Sequence, residues 1–220
     1  MPLRPPKVIE HLFPNILWRG PSDEKSTYLT FDDGPDANTT PRVLDILAES
    51  DVKASFFLVG SRIAENEAIV ARAQTEGHVL ANHGFSHRRL GWASRDAIEK
   101  EIGSTERIIT ANGWSCHKLF RPPFGHFRPG MTSMVARLGY RLVMWSLMPG
   151  DYRPIAADRL LRRTLSGLEP GSIIVLHDSS RYPEPMLQML PKLLKEITGS
   201  GYACKRLDEI VDFARGREEG

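Results

Sequence analysis

Residues 27–36 read "TYLTFDDGPD", an apolar run rich in β-branched and aromatic residues that stops at two adjacent carboxylates, a glycine and a proline. The run has the composition of a strand. Gly34 and Pro35 have the composition of a turn, glycine by supplying φ > 0 and proline by refusing to continue a ladder. Shortly after it, "TPRVLDILAES" (40–50) places Val43, Leu44 and Leu47 at helical spacing. Strand, sharp turn and helix form the first half of a βα unit, and the unit recurs. Strand-like runs follow at "ASFFLV" (54–59), "HVLA" (78–81), "KLFR" (118–121), "RLVMW" (141–145), "SIIVL" (172–176) and "YACKRL" (202–207). Helical segments lie between them at 62–77, 94–113, 130–139, 156–168 and 184–201, with Ile98, Ile102 and Ile109 spaced along one face and Ser94 as an N-cap. About seven strands alternating with helices predict a parallel sheet, as a (β/α) barrel or a doubly wound sheet. Both put function at the C-terminal ends of strands, which is where Asp32 and Asp33 fall.

At 220 residues the chain suits one domain that buries a core without staples. We read 1–220 as a single catalytic domain, with 1–26 as an N-terminal extension packed on it. Hydrophobic residues make up 41% and charged residues 25%, ordinary values for a globular protein. A net charge of +2 carries no polyanion signature, so no nucleic-acid partner is expected, and no protein partner is evident either. The start, "MPLRPPKVIEHLFPNILWRG", lacks the apolar core of a secretory signal, and no run approaches the roughly 18 apolar residues of a membrane span. These features predict a cytoplasmic protein, or an exported or periplasmic one if a leader has been trimmed. Cys116 and Cys204 read as buried thiols, with one disulfide as the alternative.

Further polar clusters end the other strands. "NHGFSH" (82–87) spaces His83 and His87 four apart, so that a helical turn would aim both imidazoles at one ion. "RPPFG" (121–125) offers Arg121 as a partner for a carboxylate, "PGDY" (149–152) places Asp151 after the fifth strand, and "IIVLHDSS" (173–180) ends in His177 and Asp178. Each has an ordinary explanation as a turn, a surface arginine or a structural histidine. Five such clusters closing five apolar strands favour a shared site over surface decoration. One carboxylate and two histidines are a common mononuclear zinc set that leaves a position open for water. Zinc lowers the pKa of such a water to about 7, a second carboxylate could take its proton, and a histidine could protonate a leaving amine. The inventory suits metal-assisted hydrolysis of an amide or ester. No catalytic-serine elbow, P-loop or dinucleotide fingerprint supports a rival chemistry.

The ordered set TFDDGP, H-x3-H, RPPFG, an Asp-Tyr after the fifth strand and VLHD resembles the polysaccharide deacetylase family, that is, the NodB homology family or carbohydrate esterase family 4. The resemblance covers about Tyr28 to Asp178. It implies a distorted (β/α) barrel of the NodB type and divalent-metal-dependent removal of N- or O-acetyl groups from a sugar or polysaccharide, such as peptidoglycan or chito-oligosaccharide. By resemblance, Asp32 is the base that deprotonates a metal-bound water, and Asp33, His83 and His87 are the ligands of one divalent ion, Zn first, with Co, Ni or Mn as alternatives. Arg121 holds the base, Phe124 lends its backbone N–H to the oxyanion, Asp151 orients the acid His177, and Leu176 lies beside the acetyl methyl group. The family often has Asp-Trp where this chain has Asp151-Tyr152, and commonly tyrosine where it has Phe124. Tyr152 still offers a ring for a sugar, so the departure bears on substrate preference.

His11, His78, His117 and His126 lack a partner pattern and are expected to be structural or exposed; Trp92 and Trp145 are candidates for a cleft wall, Trp145 also for the core. Asp178 is expected to cap a turn, and the acidic end "REEG" (217–220) to be a solvated tail. Alternative readings are a hydrolase of a small cyclic amide or ureido compound on the same fold, and a carbohydrate-binding pseudoenzyme.

Overall fold

The structure, a computed structural model, describes residues 4–210; the acidic end lies outside them. Seven strands pair throughout in parallel: β1 (Ser26–Asp32), β2 (Ser55–Leu58), β3 (Val79–Asn82), β4 (Cys116–Phe120), β5 (Arg141–Leu142), β6 (Ser172–His177) and β7 (Ala203–Lys205). The order is β5-β4-β3-β2-β1-β6. β1 is central: β6 pairs with one edge, while β2 takes residues 30–32 and β7 residues 26–28. Helices α1 (Lys7–Leu12), α2 (Thr40–Glu49), α3 (Glu67–Thr75), α4 (Arg95–Ala111), α5 (Met131–Arg137), α6 (Ala157–Leu165) and α7 (Pro183–Gly199) complete the fold. The sheet curls into a half-barrel, the form taken here by the distorted (β/α) barrel that the resemblance implies. Its open side is bridged where Leu147 pairs with Ile174 of β6 and Val175 N–H donates to Leu147 O at 3.0 Å.

All seven residues of β1 are buried, as expected for a parallel strand covered on both faces. Alternation then sorts its side chains. Leu29 and Phe31 pack outward with Val43, Leu44 and Leu47 of α2 and with Leu190, Leu193 and Leu194 of α7. Tyr28 faces inward with Phe57, Val79, Ala81, Leu119 and Ile173. Asp32, four residues on from Tyr28, therefore opens at the C-terminal rim of the interior. α4 begins where Ser94 Oγ accepts from Ala97 N–H at 3.3 Å, the capping arrangement expected of serine there.

Two elements depart from their predicted bounds. The run 141–145 forms a strand only at its first two residues. Leu17 then takes over the ladder, donating to Leu142 O at 2.9 Å and accepting from Met144 N–H at 2.8 Å. Sequence periodicity carries no sign that an N-terminal residue would occupy this edge. The helix expected over 62–77 is confined to α3, because residues 60–62 form a 3-10 turn that places Arg62 against the end of β1. Cys116 and Cys204 are free, half-buried thiols, and burial pushes Cys204 up to about 11. No helix of the described residues is long and apolar enough to cross a membrane.

Candidate active site

The chain reverses immediately after β1. Asp32 is still in the strand, whereas Asp33 has φ = 76°, the left-handed region that aspartate tolerates better than most residues. The positive φ expected at Gly34 is thus carried by Asp33. Glycine at 34 answers a different need: its N–H donates to Asp178 Oδ1 at 3.1 Å, and a Cβ there would collide with the Asp178 carboxylate. Asp178 is fully buried and also accepts from the Thr40 hydroxyl at 2.6 Å. It fastens the β1 turn to the start of α2. Arg62 completes the turn by donating to Asp33 O at 2.8 Å.

The reversal separates the two carboxylates. Asp32 Oδ1 accepts from Arg121 Nη1 at 2.5 Å, and Arg121 also donates to Thr30 Oγ1 and to Met144 O, both at 2.9 Å. The guanidinium is fully buried and lies 4.0 Å over the Phe57 ring, so its orientation is held from several sides. Asp33 turns instead to the histidines, with Oδ1 at 3.3 Å from His83 Nε2 and 2.8 Å from His87 Nε2. Burial would raise the Asp33 pKa, but without a metal hydrogen bonds donated by the Nε2–H groups of His83 and His87 outweigh it and hold the carboxyl well below the usual carboxylate range.

One ligand atom from each of Asp33, His83 and His87 lies within 4.8 Å of the other two. His83 Nδ1 is 2.7 Å from Arg121 O, and a carbonyl only accepts, so Nδ1 carries a hydrogen. In neutral His83 the lone pair is then on Nε2 and faces the Asp33 carboxylate. Two acceptors directed at each other fit a shared cation, and a carbonyl on the far ring nitrogen is the usual outer support of a metal-bound imidazole. The residues present therefore suit one divalent ion.

The two histidines meet through a bend and not through the helical turn that their spacing suggested. Gly84 has φ = 79° and His87 φ = 53°. Glu101 of α4, nearly buried, ties this bend down: it accepts from Phe85 N–H and Ser86 N–H, each at 2.8 Å, and from the Ser86 hydroxyl at 2.7 Å. Asn82 Oδ1 accepts from Gly84 N–H at 2.9 Å.

The polysaccharide deacetylase family model matches residues 19–143, more than half of the 220-residue chain. The chain belongs to the polysaccharide deacetylase family. It is 32% identical to a peptidoglycan-N-acetylglucosamine deacetylase of Bacillus cereus over 90% of this chain and 73% of that protein. It is 37% identical to a chitooligosaccharide deacetylase of Rhizobium leguminosarum bv. trifolii, over 71% of this chain and 73% of the relative. The structure of Bacillus subtilis PdaA, a family 4 carbohydrate esterase, superposes with a TM-score of 0.86 at 28% identity, covering 97% of this chain and 93% of that one.

Beyond the matched segment, this deacetylase-family chain adds the histidine side of the site. His177 ends β6, and its N–H and Nδ1 both meet Asp151, at 2.7 and 2.9 Å. Burial alone would lower the imidazole pKa, but the fully buried Asp151 carboxylate raises it to about 9. Asp32, Asp33, His83, His87 and His177 line one cleft of about 320 Å³, together with Phe124 and Tyr152. Phe124 is 52% exposed with φ = 61°, and its ring stands 4.7 Å from that of His87; the Tyr152 ring stands 5.3 Å from His177.

Leu176 corrects the sequence reading. It packs outward in the core with Phe31 and α7, while Val175 and His177 face the cleft. Alternation along β6 allows no other outcome: if His177 points in, the inward neighbour is two residues back. Trp145 lines the cleft, whereas Trp92 is 97% exposed and is not among the lining residues. His78 is structural, accepting from Ala54 N–H at 3.1 Å, and burial lowers it to about 4. The sequence carries no signal for Arg62, Glu101 or Thr40, and for Asp178 only that of a turn cap. These residues act through backbone groups of the loops, and no local pattern marks such partners.

Proposed function

We propose that the chain is a metal-dependent N-deacetylase of an acetylated glycan, such as a peptidoglycan strand or a chito-oligosaccharide. The observation that carries this reading is the meeting, in one cleft, of three differently held groups. They are a three-donor metal set, a carboxylate gripped by a buried arginine, and a histidine gripped on its far nitrogen by a buried carboxylate. Asp33, His83 and His87 would hold the ion, with Zn suited to this nitrogen and oxygen set and Co, Ni or Mn as alternatives. When bound, the ion supplies Lewis acidity to a carbonyl and lowers the pKa of a water.

The chain's own groups do the rest. Asp32, its Oδ1 tied to Arg121, takes the proton of the attacking water through its other oxygen. As water oxygen adds to the acetyl carbon, the backbone N–H of Phe124 donates to the developing oxyanion. His177 gives the proton on Nε2 to the sugar nitrogen as the C–N bond breaks, and Asp151 holds Nδ1–H and stabilises the imidazolium beforehand. The products are acetate and a free amine. The test is acetate release from acetylated chito-oligosaccharides and peptidoglycan fragments, with metal content measured on the same sample. Release that depends on a stoichiometric divalent ion is the expected outcome. A metal-loaded protein that releases no acetate from either glycan overturns the reading.

A further inference from the structure

The turn that carries the Phe124 N–H is an unfavourable one. Phe124 has φ = 61° and Gly125 φ = 63°, two successive residues in the left-handed region, where a side chain the size of phenylalanine is strained. Two N–H groups of the turn are spent inside it: Gly125 donates to Pro122 O at 3.0 Å and His126 to Pro123 O at 3.2 Å. The Phe124 N–H has no acceptor among the described residues. Phe124 and Gly125 both line the cleft, and the Phe124 ring is exposed, so burial of that ring does not anchor the turn.

The anchor comes from the segment after β5. Met144 O accepts from Arg121 Nη2 at 2.9 Å, at the foot of the same loop. The next residue, Trp145, lays the six-membered edge of its indole against Gly125, so close that a Cβ at 125 would collide with it. Trp145 is itself held: it is half-buried and packs against two parts of the core, one with Phe120 and Tyr140, the other with Leu119 and Val143. We infer that Trp145 is a positioning residue, a brace that keeps the Phe124–Gly125 turn in its strained form and so fixes the aim of the Phe124 N–H. The inference rests on the deacetylase reading and on the role given there to that N–H. A donor to a developing oxyanion must be in place beforehand, and a displacement of about 1 Å costs about a hundredfold in rate. One short segment then serves both sides of the reaction, Met144 O holding the arginine of the base and Trp145 the oxyanion donor.

The test uses the zinc-loaded protein and two variants that separate the ring from its bulk. Trp145→Leu fills core space without a ring, whereas Trp145→Phe keeps one beside Gly125. Acetate release from the N-acetylglucosamine tetramer gives kcat and KM, and the backbone amide NMR signal of Phe124 is followed during titration with acetate. In W145L, kcat is expected to fall about 10–100-fold while KM and metal content stay as they were, because the lost contact matters only once the oxyanion forms. W145F is expected to recover most of that loss. Acetate is expected to shift the Phe124 amide saturably in the unaltered protein and not in W145L. A normal kcat in W145L overturns the inference, as does a raised KM with kcat kept, which would make Trp145 a sugar contact. A W145F no better than W145L, or a Phe124 amide that acetate never shifts, overturns it too. Should W145L fail to fold, Gly125→Ala breaks the same contact from the loop side, and a normal kcat there has the same force. If the unaltered protein releases no acetate, the deacetylase reading falls and the amide signal still decides the brace: a shift lost in W145L keeps it, a shift retained removes it.

Discussion

Asp32 keeps the extended backbone of β1 and points into the barrel, while Asp33 at φ = 76° is turned toward the histidines. On the proposed roles, Asp33→Ala loses bound metal, whereas Asp32→Asn retains it and loses at least about a hundredfold in turnover. Metal analysis beside acetate release checks both, and full occupancy in Asp33→Ala would remove Asp33 from the ligand set. His177 supplies a pH prediction. Asp151 raises its pKa, so the acid is charged through neutral pH and the alkaline limb of activity lies above the ordinary histidine value. Asp151→Asn removes the charge that favours imidazolium, so the limb moves down by at least about one pH unit. A limb that stays in place would exclude His177 as the titrating acid. The linkage has the same sign. A histidine raised from 6.5 adds stability that is complete below about pH 6.5 and is lost as pH rises through 9. The metal-free protein should therefore lose thermal stability across that interval, and Asp151→Asn should flatten the loss.

At the scale of elements, the loops are held by side chains from distant helices. Glu101 of α4 binds the bend between His83 and His87 through two backbone N–H groups and a hydroxyl. Glu101→Ala leaves those donors without their acceptor, with an expected cost of about 1–3 kcal/mol in stability. Because the bend sets where His87 points, metal affinity should also fall about 10–100-fold. Glu101→Gln keeps one acceptor and should recover part of the affinity. Thermal melts paired with metal titration separate the two effects; unchanged affinity in Glu101→Ala would limit Glu101 to a packing role. Asp178 acts similarly on the β1 turn from the end of β6. The strands and helices themselves are legible in the sequence, because alternation and helical spacing are properties of consecutive residues. The shortening of β5 was not, since its ladder is completed by Leu17, which lies far away in sequence.

For the whole molecule, closure of the sheet depends on contacts outside the repeating βα units. Leu17 is buried, packs inside the barrel with Tyr28, Phe57 and Val143, and pairs with the backbone beyond β5. Leu17→Ala should cost about 2–5 kcal/mol, read as a lowered melting midpoint, while the isolated site residues remain as they are. A change within experimental error would mean that this edge closes without Leu17.

The residue types of the site, their order along the chain and their places after particular strands were determined by the sequence, because carboxylates, imidazoles and turn residues declare their chemistry locally. So was the alternation that makes a parallel sheet. Which atoms meet was decided only by the tertiary structure. Asp33, and not Gly34, takes the left-handed backbone, and position 34 is glycine for another reason, because Asp178 fills the space a side chain there would need. Val175 replaces Leu176 at the cleft wall, because the inward direction of His177 sets the phase of β6. Arg62, Glu101 and Asp178 hold the loops through backbone hydrogen bonds that span from 15 to 144 residues in sequence. Such partnerships arise from proximity in three dimensions, which a one-dimensional pattern does not encode.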